Sequence, residues 1–295
     1  MALVLDGKAC AQAIEAELKT EISTLAVTPK LVLILVGSNP DSKTYIRLKK
    51  NACTRVGIAV DVVELVDDTT YEQLVGVIHE KNADSTVHGV LVQLPLPEPL
   101  QVKEQAVLHT IVPEKDVDGL HPAHFYQLPM AKTEHSEHVL LEPCTPAGCL
   151  ELLARNNIDV ADKDVVMVGR GQLVGLPLTL MLLQRNATVT TCHTHTKDLE
   201  DKVRRADVVI VGVGKPELIK GDWIKPGAVV VDVGINYVDD ATSKKGYKIL
   251  GDVEYEAAKA KASAITPVPG GIGPMTVAML LKNTMKSAKF VQITQ

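Results

Sequence analysis

The stretch that most constrains the fold runs from Asp164 to Arg185. It begins with the apolar run 165–168, which is typical of a strand buried on both faces of a parallel sheet. The run stops at Gly169-Arg170-Gly171, and apolar residues then recur every three or four positions, which predicts a helix. A strand, a glycine turn and a helix in this order favour anion binding, because the helix N-terminus offers free N–H groups and glycine lets an anion approach closely.

The segments that follow continue the alternation of strands and helices. Apolar strands are predicted at 187–192, 207–211 and 228–233, with a charged helix at 197–206. This alternation indicates a parallel sheet. The spacing Gly169-x-Gly171-x-x-x-Gly175 is one residue longer than the usual dinucleotide fingerprint, so two interpretations remain open. The turn binds a phosphate, or its glycines serve packing alone.

The residues after the 187–192 strand bear on the choice of cofactor. An NAD-binding fold usually places an acid there to bond the ribose 2′-hydroxyl. Here the strand is followed by His193-Thr194-His195-Thr196, and the first acid is Asp198. Because hydroxyls, imidazoles and Arg170 would receive a 2′-phosphate that a carboxylate would repel, we predict NADP over NAD. The alternative is that Arg170 and the two histidines are ordinary surface residues.

Composition narrows the class of protein. A chain of 295 residues with 46% hydrophobic but 3% aromatic residues predicts an aliphatic α/β core, divided between two domains. A net charge of −5 without a basic cluster argues against nucleic acid as a partner. Five scattered cysteines without a CxxC pair predict neither disulfides nor a metal site, and favour a reducing compartment. With no signal-peptide core or membrane span, we expect a cytoplasmic protein, leaving open a transit peptide already removed.

The N-terminal half shows a second α/β pattern. Helices are predicted at 8–22, 43–55 and 71–82, and strands at 31–36, 59–64 and 87–93. Tyr45 and Lys49 are four residues apart, so they share one helical face. Gln93 ends its strand, where open α/β sheets place ligand groups. The alternatives are a packing tyrosine, a solvated lysine and a capping amide.

Turns and loops mark the remaining boundaries. The acidic turn 113–119 contains two aspartates, either of which could simply cap it. The polar segment 133–142 predicts an exposed loop whose His135 and His138 lack further metal ligands. A linking helix is predicted at 147–156 and a hairpin excursion at 237–250. Segment 265–276, with three glycines and three prolines, predicts a rigid loop before a final helix at 275–290.

Six motifs in this order make the chain resemble the bifunctional methylenetetrahydrofolate dehydrogenase/cyclohydrolase family, and the resemblance covers nearly the whole chain. Each motif is weak singly, but their shared order is far more specific. They are Tyr45-Ile46-Arg47-Leu48-Lys49, Val92-Gln93-Leu94-Pro95, Pro113-Glu114-Lys115-Asp116-Val117-Asp118-Gly119, Pro143-Cys144-Thr145-Pro146, Gly169-Arg170 with Val174-Gly175, and the segment from Pro267 to Thr276.

The resemblance implies both an activity and a set of site residues. Hydride would pass from 5,10-methylenetetrahydrofolate to NADP, and the methenyl product would be hydrolysed to 10-formyltetrahydrofolate. Lys49 matches the catalytic lysine, Gln93 the amide that holds it, Tyr45 the ring that stacks on the aminobenzoyl group, and Asp118 the carboxylate that binds the pterin. Pro269, Gly270 and Gly273 would border the folate, and Cys144, Thr145, Gly169, Arg170, Gly171, Val174, Gly175, His193, Thr194, Ile235, Gly273 and Thr276 would lie along the cofactor.

The implied architecture is α/β with two lobes and an active cleft between them. A folate lobe (1–143 with 275–295, so that the last helix returns to it) would join a Rossmann-type, parallel-sheet NADP lobe (144–274). The family pattern also implies a homodimer through the nucleotide lobe. One departure is Gly171, where most members carry a serine hydroxyl expected to bond the 2′-phosphate, which weakens the NADP prediction.

Two other functions compete with this assignment. A shikimate-type NADP-dependent alcohol dehydrogenase also joins a substrate lobe to a nucleotide lobe, but the loop from Pro267 to Thr276 and the Tyr45/Lys49 helix argue against it. A non-catalytic dinucleotide sensor would have no use for Lys49.

Overall fold

The computed structural model describes residues 2–130, 141–243 and 246–294, with side chains described to residue 291. The part of the chain so described forms two compact units. One consists mainly of Thr145–Thr276 with the N-terminal residues up to Ala11, and the other of Gln12–Gln127 with the C-terminal helix from Val277. The predicted α/β class with a Rossmann-type parallel sheet is confirmed. His135, His138 and most of the predicted loop 133–142 lie outside the described residues.

The unit built on Gln12–Gln127 contains a parallel sheet in which β2 lies between β3 and β4. Its central strand is buried along nearly its whole length, as its unbroken apolar sequence predicts. The cap of α2 is Asn39, whose side chain accepts hydrogen bonds from the backbone N–H groups of Asp41 and Ser42. The elements of the N-terminal half of the chain are β1 (Leu3–Val4), which belongs to the other unit, α1 (Gly7–Ile22), β2 (Lys30–Val36), α2 (Pro40–Val56), β3 (Ala59–Leu65), α3 (Tyr71–Ala83), β4 (Gly89–Val92), α4 (Glu104–Leu108) and α5 (Pro122–Gln127).

The second unit contains a parallel sheet in the order β1-β11-β8-β7-β5-β6. The order reverses between β5 and β7, and ligands of open α/β sheets bind at such a point. An antiparallel hairpin of β9 and β10 forms the predicted excursion. The elements of the C-terminal half of the chain are α6 (Cys144–Arg155), β5 (Asp164–Val168), α7 (Gly175–Gln184), β6 (Thr188–Cys192), α8 (Leu199–Arg205), β7 (Val208–Val211), β8 (Val229–Asp232), β9 (Asn236–Asp239), β10 (Tyr247–Leu250), α9 (Tyr255–Lys261), β11 (Ala264–Ile265) and α10 (Ile272–Thr294), which belongs to the first unit from Val277 onward.

The N-terminal residues differ from the sequence-based boundary, which places them all in the folate lobe. Leu3 and Val4 pair in parallel with Ala264 and Ile265, so the chain begins as an edge strand of the larger sheet. A two-residue strand is too short to show periodicity, and its partner lies about 260 residues away. The backbone N–H of Leu5 also donates to the carbonyl of Ile265 at 2.9 Å, which extends this connection.

Not all the apolar residues whose spacing predicts α7 lie on its buried face. Leu173, Leu176 and Leu183 are 41–48% exposed, whereas Leu178 and Leu182 are fully buried. The helix is apolar on both sides, so periodicity alone could not distinguish the core face. An apolar face therefore remains uncovered within the described chain. No helix among the described residues is long and apolar enough to cross a membrane.

Candidate functional site

A lysine–glutamine pair lies at the carboxyl edge of the smaller sheet. Lys49 projects from α2, and its Nζ donates a hydrogen bond to Oε1 of Gln93 at 3.0 Å. Gln93 follows β4 directly, and its Nε2 donates to the carbonyl of Leu94 at 2.7 Å, which turns Oε1 toward the lysine. The amide is 8% exposed, while Lys49 is half-buried. A neutral partner thus orients the amine, and no described carboxylate forms an ion pair with it.

Tyr45 lies one turn before Lys49 on the same helix, as the spacing predicts. Its side chain is 36% exposed, so one part packs and another remains accessible. Partial burial, reinforced by Asp41, raises the pKa of the phenol above its usual value. The ring therefore stays neutral at physiological pH and offers a π face to a planar ligand.

The two aspartates of the 113–119 turn have different environments. Asp116 is 1% exposed, and its Oδ2 accepts the backbone N–H of His121 at 2.6 Å, so it caps the turn. Asp118, two residues on, is half-buried. Burial raises the pKa of Asp116 to about 7. The accessible Asp118 is thus the carboxylate available to a ligand, and the buried Asp116 shapes the turn that carries it.

Donors from several elements fix this turn from outside. Nδ2 of Asn283, on α10, donates to the carbonyls of Val117 at 2.9 Å and Glu142 at 2.8 Å. Oγ of Ser287, one turn later, donates to the carbonyl of Glu114 at 2.6 Å. The thiol of Cys144, which is 2% exposed, also donates to the carbonyl of Val117, at 3.2 Å. The turn is therefore held rigidly before any ligand arrives.

His124 supports the same turn from α5. Its Nε2 lies 2.9 Å from the carbonyl of Pro113, and its side chain is 1% exposed. Burial lowers the pKa of the imidazole to about 4. The folded chain thus keeps His124 neutral over a pH range in which the unfolded chain protonates it.

We expect His124→Gln to change how stability depends on pH. Between pH 6.5 and 4 the unfolded histidine binds a proton that the folded one does not, so acid lowers the free energy of unfolding of the parent by about 3 kcal/mol through this group. The variant has no histidine at this position and does not lose this stability in acid. The difference in free energy of unfolding between parent and variant should therefore be smaller at pH 4 than at pH 7, by the same amount. Urea denaturation at both pH values measures it. His79→Gln, at an exposed site on α3, is the control, and parallel profiles for parent and His124→Gln would refute the expectation.

The glycine turn of the larger sheet has the close packing that its sequence suggests. Gly169 has φ +118°, and a Cβ there would clash with the carbonyl of Gly212. A Cβ at Gly175, the first residue of α7, would lie 2.6 Å from the carbonyl carbon of Gly169 and 2.8 Å from Cα of Arg170. A Cβ at Gly171 would meet no atom within 4 Å. The outer two glycines are thus required by the turn, and Gly171 is not.

The tip of β6 gathers groups suited to an anion. Thr194 and Arg170 are exposed, and Val174 between the glycines is half-buried. Desolvation, together with the charges of Arg170 and His195, lowers the pKa of His193. Arg170 and His193 therefore lie near enough to interact. Asp198 lies six residues beyond the strand.

The loop before α10 brings further predicted residues together. Oγ1 atoms of Thr145 and Thr276 are 3.0 Å apart. A Cβ at Gly273 would lie 4.0 Å from Cδ1 of Ile235, which is 41% exposed after β8. Gly270 has φ +107° and follows the exposed Pro269. Within the residues described here, no group of three His, Cys, Asp or Glu side chains could hold a metal.

Family models match both halves of the chain. The catalytic domain of tetrahydrofolate dehydrogenase/cyclohydrolase matches residues 5–118, and its NAD(P)-binding domain matches residues 143–292. The chain belongs to the tetrahydrofolate dehydrogenase/cyclohydrolase family. The resemblance inferred from the six motifs is thus confirmed.

Full-length relatives agree with this membership. The bifunctional protein FolD of Geotalea daltonii is 51% identical over 98% of this chain and 99% of its own length. The FolD dehydrogenase/cyclohydrolase structure from Campylobacter jejuni is 43% identical, with a TM-score of 0.90 over 98% of this chain and 99% of that one. A Trypanosoma brucei FolD structure, complexed with NADP and an inhibitor, is 40% identical, with a TM-score of 0.92 over 100% and 99%. A shikimate dehydrogenase from Aquifex aeolicus, at 12% identity and a TM-score of 0.51, shares the fold alone.

Several residues that support the two sites were not identified from the sequence. The sequence indicates Asp116 only as one of two possible caps of its turn. It gives no indication of a role for His124, Asn283 or Ser287. Isolated polar residues are usually solvated, so their types gave no signal of burial. Their partners are backbone carbonyls and N–H groups, which no sequence pattern reveals.

Proposed function

We propose that this enzyme of the tetrahydrofolate dehydrogenase/cyclohydrolase family oxidises 5,10-methylenetetrahydrofolate with NADP and hydrolyses the 5,10-methenyl product to 10-formyltetrahydrofolate. The observation that carries the proposal is the Lys49–Gln93 pair, a positioned amine at a strand end where ligands bind. A sensor would not need such a pair. The match of both family models disfavours the shikimate-type alternative.

Each proposed folate-binding residue of the first unit has its own chemical role. Tyr45 offers a face on which the aminobenzoyl ring stacks, and Asp118 accepts charge-assisted hydrogen bonds from pterin N–H groups. The oxidation mainly requires alignment of two rings, so no strong acid or base is needed. Hydrolysis adds water to the methenyl carbon, and Lys49, oriented by Gln93, handles the proton that this water loses.

The nucleotide residues suit NADP. The crowded glycines Gly169 and Gly175 leave a close backbone approach at the start of α7, which fits a pyrophosphate. Arg170, His193 and Thr194 would hold the 2′-phosphate. Bound NADP supplies the hydride acceptor. The other proposed cofactor contacts are Cys144, Thr145, Gly171, Val174, Ile235, Gly273 and Thr276, and Pro269, Gly270 and Gly273 border the folate.

Absorbance during turnover tests the proposal. We expect 5,10-methylenetetrahydrofolate to reduce NADP faster than NAD, without lasting methenyl absorbance, because both activities share the chain. Lasting methenyl absorbance would remove the cyclohydrolase half of the proposal. Absence of reduction with either cofactor would refute the folate assignment.

We further propose a homodimer formed through the nucleotide unit. The exposed Leu176 and Leu183 of α7, with Leu173 just before the helix, support this, because exposed apolar patches of soluble proteins mark interaction sites. We place residues 1–143 and 275–295 in a folate domain and 144–274 in the NADP domain, except that the first eleven residues pack with the latter. The five free cysteines, four of them buried, fit a cytoplasmic, reducing location.

A further inference from the structure

Two buried carboxylates lie beside the ends of β7 and β8, and the proposed reaction uses neither. Asp232 is 3% and Asp252 is 0% exposed. Burial raises the pKa of Asp232 to about 6, so a carboxylate there lowers stability. Among the described residues, neither pairs with a lysine or arginine. A costly arrangement of this kind is more typical of a functional site than of a core.

Asp252 holds the loop that follows β7. Its Oδ2 accepts the backbone N–H groups of Val213 at 2.6 Å and Gly214 at 3.0 Å. Its Oδ1 accepts the N–H of Lys215 at 2.8 Å and Nδ2 of Asn236 at 2.9 Å. One carboxylate therefore fixes three successive residues at the carboxyl edge of the sheet. The same loop begins at Gly212, against which the glycine turn packs.

Asp232 holds the neighbouring loop and its return. Its Oδ1 accepts the N–H groups of Gly234 at 2.9 Å and Asp252 at 3.0 Å. Its Oδ2 accepts the N–H of Val253 at 2.8 Å. Its own N–H donates to Oγ1 of Thr266 at 2.7 Å, at the start of the segment 267–271. The two carboxylates thus connect the loops after β7 and β8 with residues 252 and 253, and the backbone N–H of Asp232 adds a link to Thr266 after β11.

The location of these loops relative to a dinucleotide follows from the topology. A pyrophosphate at the start of α7 and an adenosine ribose at the tip of β6 leave the nicotinamide half to extend over the ends of β7 and β8. We propose that Asp252 and Asp232 are positioning residues for the nicotinamide half of the cofactor, acting through the backbone loops that they hold. This inference rests on the proposed use of NADP.

Binding of two probes tests the inference in the full-length protein. Calorimetry would compare NADP with 2′,5′-ADP, which has the adenosine half but no nicotinamide. We expect Asp252→Asn, whose amide nitrogen would face N–H donors, to raise the Kd for NADP about tenfold and that for 2′,5′-ADP less than about twofold. An unchanged Kd for NADP, or an equal loss for both probes, would overturn the proposal.

Two further variants complete the design. Asp207, which pairs with Lys225 at 2.7 Å, lies at the opposite edge of the same sheet. Asp207→Asn should therefore leave the affinities for NADP and for 2′,5′-ADP unchanged. If Asp252→Asn does not fold, Asn236→Ala decides the question, because it removes one of the four donors to Asp252 and should weaken NADP binding selectively by about threefold. Failure of the parent to bind either probe would contradict the proposed function, whereas the difference between probes concerns the positioning residues.

Discussion

Lys49→Met is expected to abolish hydrolysis of 5,10-methenyltetrahydrofolate while NADP binding survives. The substitution removes the amine that donates to Gln93 and leaves no group there to take a proton from water. Loss of positioned acid–base catalysis costs about 10²- to 10⁴-fold in rate. The affinity for NADP should not change, because the glycine turn 169–175 and the tip of β6 lie in the other compact unit. Decay of methenyl absorbance and calorimetric titration with NADP measure the two effects.

Lys50→Met is the matched control for this prediction. Lys50 is the next residue of α2 and is exposed. Its replacement changes the net charge by the same amount but leaves the hydrogen bond between Lys49 and Gln93 in place. We expect parental hydrolysis in that variant. Parental hydrolysis by Lys49→Met would instead show that Lys49 has been assigned the wrong role.

Gly175→Ala is expected to impair both NADP binding and thermal stability. The new Cβ would lie 2.6 Å from the carbonyl carbon of Gly169, so the glycine turn or α7 must shift. Overpacking of this kind costs about 1–3 kcal/mol, which corresponds to about a 5- to 150-fold loss of affinity if the shift falls on the binding turn. Calorimetry with NADP and a melting curve measure both.

Gly171→Ala provides the comparison within the same loop. A Cβ there meets no atom within 4 Å, and Gly171 is not among the residues with positive φ. We expect an unchanged melting temperature and less than about a threefold change in affinity. If both alanine variants behave alike, crowding of the turn does not govern binding.

The sequence predicts the regular elements because their patterns are local. The buried run of β2 and the four-residue spacing of Tyr45 and Lys49 reproduce in the structure. β1 and β11 were missed because strands of two residues show no periodicity and pair across most of the chain. The exposed apolar face of α7 could not be distinguished from its buried face, because the helix is apolar on both sides.

The residues of the candidate site also fall into those that the sequence predicts and those that it does not. Lys49, Gln93 and Asp118 were named from motifs, and the structure brings the first two into hydrogen-bond contact. The side chains that hold the loops, such as Asp252 and Asn283, could not be found, because each binds backbone groups far away in sequence. Site residues can thus be predicted from the sequence when they belong to known motifs. Supporting residues can be identified only from the structure.

The anchoring of the 113–119 turn by α10 has a consequence for biosynthesis. Asn283 and Ser287 supply donors to carbonyls made some 170 residues earlier. A nascent chain that has already produced Asp118 lacks those donors until about 170 further residues have been synthesised. The carboxylate proposed to bind the pterin therefore acquires its final setting only after α10 has been synthesised, so chains that stop before α10 should bind folate more weakly.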